Sequence, residues 1–283
     1  MFARAATLAL LAILAAGQIE VAQAAPSVAA GVEEASVTRR STAANPPLPL
    51  PPVPPRIAEG TDYDRCLAML GNDPQGASNF AESWASSGGG NGATHCQALA
   101  QIELGNVADG AEMLEKLANA SKAPDLARAA VYGEAVRSWL MANKPERAFD
   151  AATLALSLAP NDTDLLIDRA VAEISMEHYH DAIEDLDHAV AIEPRRAEAF
   201  VLRASAWRNL NNVEVAANDI EHALAINPDS AEALLERGIL RQRTGDRAGA
   251  REDWQRAINL DPNSSTADLA EQDLALLDAG PKQ

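Results

Sequence analysis

The sequence predicts an all-α solenoid, a stack of two-helix hairpins, and two periodic series of residues indicate it. Prolines stand 34 residues apart, at Pro160, Pro194, Pro228 and Pro262. Small residues recur in the same register at the eighth, twentieth and twenty-seventh places of the units 163–196, 197–230 and 231–264. They are Ala170, Ala204 and Gly238, then Ala182, Ala216 and Ala250, then Ala189, Ala223 and Ala257. A fixed period of this length indicates stacked supersecondary units, and small residues at helical spacing mark close approaches of two helix axes.

Each unit is predicted to run helix, short polar turn, helix and proline, because proline ends a helix at the residue before it. The turns are 178–180, 211–212 and 244–246. This pattern resembles the tetratricopeptide repeat, which implies a right-handed helical-hairpin solenoid. A fourth unit, 129–162, keeps Tyr132, Trp139, Ala148, Ala155 and Pro160 but has Val136 where a small residue is expected. Upstream, 59–128 is predicted to hold degenerate hairpins, with 88–92 as a flexible glycine connector, and 265–283 to hold a capping helix and tail.

The resemblance also implies a binding groove, lined by the second, fifth, ninth, twelfth and thirteenth places of each first helix. These places hold Asp164, Ile167, Val171, Ile174 and Ser175; Glu198, Val201, Ser205, Arg208 and Asn209; and Glu232, Leu235, Ile239, Gln242 and Arg243. The family's carboxylate clamp would need basic residues and asparagine where Ile167, Asp168 and Val171 stand, so it is absent. The aliphatic floor predicts an apolar peptide or amphipathic helix as partner. The alternative is that neighbouring units, or the chain's own N-terminal segment, cover these side chains.

The first 24 residues have the features of a secretory signal peptide. Arg4 precedes an apolar stretch, 5–17, and 22–24 is a small-x-small cleavage site. Cleavage near Ala24 predicts a periplasmic or secreted protein with no membrane span in the mature chain. In an oxidising compartment the two cysteines, Cys66 and Cys96, favour a disulfide, since their spacing is close to one repeat. Two unrelated buried thiols are the alternative.

The segment 25–58 is predicted to be a disordered proline-rich linker, because seven of the ten residues 46–55 are proline. It is interpreted either as a stiff spacer or as a docking peptide for a proline-binding partner. The net charge of −18 disfavours nucleic acid and anionic lipid as partners. It suits solubility or a basic partner.

Two further patterns have a structural and a functional interpretation. Arg169, Arg203 and Arg237 stand at the seventh place, and Asp185, Asp219 and Asp253 at the twenty-third. A ladder of ion pairs is favoured over a row of cationic ligand sites because both series share one period. The second pattern is a group of three residues on one predicted helix. His180, Glu184 and His188 lie four residues apart and are compatible with metal ligation. A solvated polar face is the favoured interpretation of these three.

No catalytic motif, cofactor-binding loop or nucleophile with an identifiable base occurs in the sequence. The prediction is therefore a non-catalytic scaffold, without cofactor or metal, that binds a protein or peptide. A self-associating component of a cell-envelope complex, which would be a homo-oligomer, is the alternative. An enzyme acting on peptides or glycans is the third hypothesis.

Overall fold

The computed structural model describes residues 55–280, and within that range the chain forms thirteen α-helices and no strand. The predicted signal peptide 1–24, most of the predicted linker 25–58 and residues 281–283 lie outside this range. The helices are α1 Thr61–Met69, α2 Pro74–Ser86, α3 Gly90–Glu103, α4 Val107–Ala120, α5 Asp125–Met141, α6 Pro145–Leu158, α7 Thr163–Ser175, α8 Tyr179–Ile192, α9 Ala197–Asn209, α10 Val213–Ile226, α11 Ala231–Arg243, α12 Arg247–Leu260 and α13 Ser265–Ala279. The all-α helical-repeat fold is therefore confirmed.

The helices pair into six hairpins, α1–α2 to α11–α12, and α13 packs on the last of them. The prolines act as the periodicity predicts. One residue separates the end of each of α6, α8, α10 and α12 from Pro160, Pro194, Pro228 and Pro262, respectively. Because proline lacks an N–H and disfavours helix in the residue before it, every second helix of these units ends at the same phase.

All nine small residues of the periodic series are buried, and the eight alanines have no exposed surface. Gly238 shows why a small residue is needed. A Cβ built there would lie 2.3 Å from Nε1 of Trp254 on the facing helix α12. The close helix approach inferred from the sequence is thus present in each of the three clearest units.

The stack is curved, and the contacts between hairpins show in which direction. First helices of successive hairpins touch each other, as α5 touches α7, α7 touches α9 and α9 touches α11. Second helices of successive hairpins make at most marginal contact within the described part of the chain. The first helices therefore form the inner, concave wall and the second helices the outer one.

Two predicted boundaries need correction. Helix α5 begins at Asp125, four residues before the predicted start of the unit 129–162, with Pro124 as its N-cap, where the N–H that proline lacks would have no partner within the helix. The predicted glycine connector 88–92 is shorter, since α3 begins at Gly90. Gly92 is buried inside that helix, where an added Cβ would lie 2.6 Å from Cη2 of Trp84. Close packing rather than flexibility thus requires this glycine.

The end of the predicted linker packs onto the helices. Ile57 is buried in the main core with Tyr63, and the guanidinium of Arg56 lies 4.7 Å from the centre of the Tyr63 ring. Arg56 Nη1 also donates to Asp64 Oδ1 at 2.8 Å. Residues 56–58 therefore belong to the folded body, because burying Ile57 removes its apolar surface from water.

Candidate partner-binding groove

The concave wall formed by α7, α9 and α11 brings the predicted groove residues together, but it buries much of the aliphatic floor. Ile167, Ile174, Val201 and Leu235 are only 3, 7, 8 and 9% exposed, respectively. They pack within the hydrophobic core clusters. The chain itself therefore covers these four side chains, which was the alternative to an open aliphatic floor. They are buried because first helices of successive units pack side by side.

Val171 and Ile239 remain partly exposed on the groove wall. Both occupy the ninth place of their unit, where the second unit has the nearly buried Ser205. At the second place, Asp164 is exposed and both Glu198 and Glu232 are partly exposed. The accessible groove therefore combines two aliphatic side chains with an acidic edge.

The twelfth and thirteenth places of the groove hold polar side chains in the second and third units, and hydrogen bonds connect most of them to other residues of the groove wall. Arg208 Nε donates to Glu236 of the next unit, and Arg208 Nη2 donates to Ser205 Oγ at 3.1 Å. Arg243 Nη1 donates to the carbonyl of Arg208 at 3.1 Å, and Asn209 Nδ2 donates to the carbonyl of Ser205 at 2.8 Å. Gln242 lies beside them, partly exposed. Arg208 is thus a structural link between α9 and α11.

Buried or half-buried acids at the sixth place form a further series, which the repeat pattern alone did not identify. They are Glu134, Asp168 and Glu236, with Leu202 interrupting the series. Each acid is bonded to a cationic or imidazole side chain of the preceding first helix: Glu134 to His95, Asp168 to Arg137 and Glu236 to Arg208. The step of 34 residues was the signal that could have revealed them. These bonds tie successive first helices together along the groove.

Burial dominates the electrostatics of the groove acids. Desolvation raises the pKa of Asp168 to about 6, although the Arg137 guanidinium 3.0 Å away opposes the rise. Desolvation likewise raises the pKa of Glu198, against the favourable charge of Arg196. Arg196 Nη2 donates both to Asp164 Oδ1 at 2.6 Å and to Glu198 Oε2 at 3.2 Å. One arginine therefore joins the acids of two units at the groove edge.

The periodic arginines and aspartates form bidentate ion pairs inside each hairpin. Nε and Nη2 of Arg169, Arg203 and Arg237 donate to the two carboxylate oxygens of Asp185, Asp219 and Asp253, respectively, at 2.6–2.9 Å. The aspartates are buried and the arginines are partly buried. The structural interpretation of these two series is therefore the one observed.

The predicted cysteine pair forms a disulfide between α1 and α3, the first helices of successive hairpins. A buried hydrogen-bond chain lies next to it. The Tyr63 hydroxyl is 2.7 Å from His95 Nδ1, and His95 Nε2 is 2.5 Å from Glu134 Oε2. The disulfide and this chain together connect α1, α3 and α5.

His180, Glu184 and His188 lie exposed along α8. Among residues 55–280, no cluster of three or more His, Cys, Asp or Glu side chains has the geometry to hold a metal ion. In the same range, every helix is too short or too polar to cross a membrane.

Comparisons with known proteins agree with this geometry. The family model of the tetratricopeptide repeat matches residues 136–206 and 202–275. No curated protein matches the sequence at a significant level. Residues 136–275 therefore consist of tetratricopeptide repeats.

Solved structures show the same fold at low sequence identity. The Cut9–Hcn1 hetero-tetramer of the APC/C aligns with a TM-score of 0.56 at 15% identity, covering 75% of this chain and 42% of that chain. TTC0263, a thermophilic tetratricopeptide-repeat protein from Thermus thermophilus, aligns with a TM-score of 0.53 at 16% identity, covering 66% and 98%. MamA aligns with a TM-score of 0.50 at 15% identity, covering 63% and 96%.

Proposed function

We propose that this protein is a non-catalytic scaffold that binds a segment of a partner protein in its concave groove. The observation that carries the proposal is the continuous wall of first helices, α7, α9 and α11, with Val171 and Ile239 accessible on it. Two aliphatic side chains beside an acidic edge suit an amphipathic peptide or helix. Its apolar face would contact the aliphatics and its basic groups would face Asp164, Glu198 and Glu232.

We also propose that the protein works in the periplasm or outside the cell. The signal-peptide pattern of residues 1–24 supports this location. The disulfide between Cys66 and Cys96 supports it independently, because such bonds persist in oxidising compartments.

Site-specific photocrosslinking in living cells tests the groove. A photoreactive residue at Ile239 should capture a defined partner, whereas one at Glu221, exposed on the outer helix α10, should not. Ile239→Asp should weaken binding of the captured partner at least tenfold, since it places a charge among apolar contacts. Equal capture from both faces, or undiminished binding by the variant, would contradict the groove assignment.

Sedimentation of the mature chain separates this proposal from self-assembly. A foreign partner predicts a monomer at every concentration. A dimer that forms with rising concentration and is abolished by Ile239→Asp would instead favour a self-associating component that uses the same groove.

A further inference from the structure

The eleventh place of the repeat holds a different chemical type of residue in three successive units, beside the same ion pair. The arginine at the seventh place and the aspartate at the twenty-third are present in all three hairpins α7–α8, α9–α10 and α11–α12. One helical turn after the arginine stand Glu173, Trp207 and Arg241, respectively. The chain therefore contains an acidic, a neutral and a basic version of one site.

Arg241 shows that a side chain at this place reaches the aspartate. Its Nη1 donates to Asp253 Oδ2 at 2.7 Å, so that Asp253 receives guanidinium groups from both Arg237 and Arg241. Glu173 has the same position relative to Asp185. A carboxyl group thus stands where the third unit has a second cation.

Glu173 is buried and short of hydrogen-bond partners. The residue is 4% exposed, and its Oε2 makes no hydrogen bond. The one guanidinium of the site is already committed, since Arg169 Nε and Nη2 each donate to Asp185 at 2.6 Å. A buried ionised carboxylate without a partner is strongly unfavourable, whereas the neutral acid carries no charge and has an O–H to donate.

The surrounding charges favour the neutral form as well. On α8, Asp181, Glu184 and Asp185 all add negative charge near Glu173. The buried residues of α6 are apolar. On the neighbouring helices α5 and α9, three arginines pair with carboxylates other than Glu173. They are Arg137 with Asp168, Arg203 with Asp187 and Asp219, and Arg208 with Glu236. Desolvation and, after it, the charge of Asp185 raise the pKa of Glu173 to about 8, against the opposing charge of Arg169.

We propose that Glu173 is a proton switch in the α7–α8 hairpin: the hairpin stays closed while Glu173 is neutral, and loss of the proton makes Glu173 and Asp185 repel each other and loosens this hairpin. Helix α7 carries Asp164, Val171 and Ser175 of the groove, so opening would alter the groove wall. This last consequence rests on the proposed function, whereas the switch itself does not.

The sign of the pH dependence follows from the direction of the shift. Unfolded Glu173 loses its proton near its ordinary pKa of about 4.5, while the folded chain keeps it until about pH 8. Between these values the unfolded state binds fewer protons, so raising the pH favours unfolding. The stabilisation is complete below the lower pKa and is lost as the pH rises through the upper one.

Carbon-13 NMR of the Glu173 side-chain carboxyl between pH 4 and 10 tests the switch directly, without any partner. Wild-type protein should show a midpoint well above pH 6, together with rising amide exchange, corrected for its intrinsic pH dependence, in α7 and α8. Urea unfolding supplies a second readout. The unfolding equilibrium constant of Glu173→Gln should depend less steeply on pH than that of wild type, by up to about tenfold per pH unit. Glu252→Gln, at an exposed acid of α12 outside the α7–α8 hairpin, should match wild type.

A carboxyl midpoint below pH 6, or identical pH slopes for wild type and Glu173→Gln, would overturn the proposal. If Glu173→Gln folds poorly, Arg241→Glu provides a second test, because it places an acid at the same place of the third unit. It should add a second alkaline-sensitive hairpin at α11–α12, and an unchanged pH profile would count against the switch. Failure of groove crosslinking would leave these results unaffected, so the two proposals fail separately.

Discussion

At the scale of single residues, the hairpin cores are built from complementary volumes. In α11–α12 the eighth place, Gly238, lies against the twenty-fourth, Trp254, and across four units the residue at the twenty-fourth place is larger where the one at the eighth is smaller. The pairs are Val136 and Ala152, Ala170 and Leu186, Ala204 and Ile220, and Gly238 and Trp254, and all eight residues are buried. Val136, which the repeat pattern marks as an exception, is thus compensated by Ala152. The two places are thus complementary in size, as a close-packed interior requires.

This complementarity predicts the effect of adding one methyl group. Gly238→Ala should destabilise the fold by about 1–3 kcal/mol, because the new Cβ would clash with the Trp254 indole. The double variant Gly238→Ala with Trp254→Leu, which copies Ala170 and Leu186, should recover part of that loss. Urea unfolding of the two single variants and the double variant gives the coupling energy. Additive effects would show that the two places do not share one volume.

At the scale of an element, the hairpins α7–α8, α9–α10 and α11–α12 are each joined by an ion pair as well as by an apolar seam. Arg203 binds Asp219 within α9–α10 and also reaches Asp187 of α8 at 2.6 Å. The fourth unit lacks both partners, since Ala135 and Ala151 occupy the two places and are fully buried. Arginine and aspartate are therefore present together or absent together, which is the arrangement expected when a lone buried charge is costly.

Removing one partner should therefore destabilise the hairpin rather than a ligand site. Arg203→Met is expected to lower the free energy of unfolding by about 3 kcal/mol, because Asp219 would stay buried without its guanidinium. Arg195→Met, at an exposed arginine in the α8–α9 connection, is the matched control with an expected effect below about 0.5 kcal/mol. If Arg203→Met left stability unchanged but abolished partner binding, the alternative interpretation of these arginines as cationic ligand sites would be favoured instead.

At the scale of the whole molecule, the two ends of the stack are stabilised differently. The C-terminal hairpins follow the repeat pattern and are covered by α13, whose Asp268, Glu271 and Gln272 face water. The N-terminal hairpins match the pattern poorly. There the disulfide and the Tyr63–His95–Glu134 chain connect three successive first helices. Covalent and polar links thus supplement the apolar packing at this end.

Removing the disulfide should accordingly loosen one end only. Cys66→Ala with Cys96→Ala is expected to destabilise α1–α4 by about 3–4 kcal/mol, the loop-closure contribution of a bridge of this span. Amide exchange should rise in those helices and change little in α9–α13, because each repeat contacts only its neighbours. Two titratable thiols per chain in unfolded, unreduced wild-type protein would contradict the bridge itself.

The sequence predicted the fold well because its signals are local and periodic. Proline and the small residues act on their own helix and its partner, so the step of 34 residues was sufficient to place α7–α12. The N-terminal corrections have nonlocal causes. Gly92 is required by Trp84 and Ala58, and Ile57 is buried in a core cluster whose members extend to Ala206. Neither dependence is visible in a repeat register.

The sequence by itself determined the hairpin architecture, the disulfide partners and the arginine–aspartate pairs, since each follows from periodic spacing or from residue type. Only the tertiary structure decided which groove residues are accessible. Ile167 and Val171 lie one helical turn apart on the predicted groove, yet packing between successive first helices buries the first and leaves the second partly exposed. It also decided that the acids at the sixth place bond to the preceding unit, because such contacts depend on how the hairpins stack.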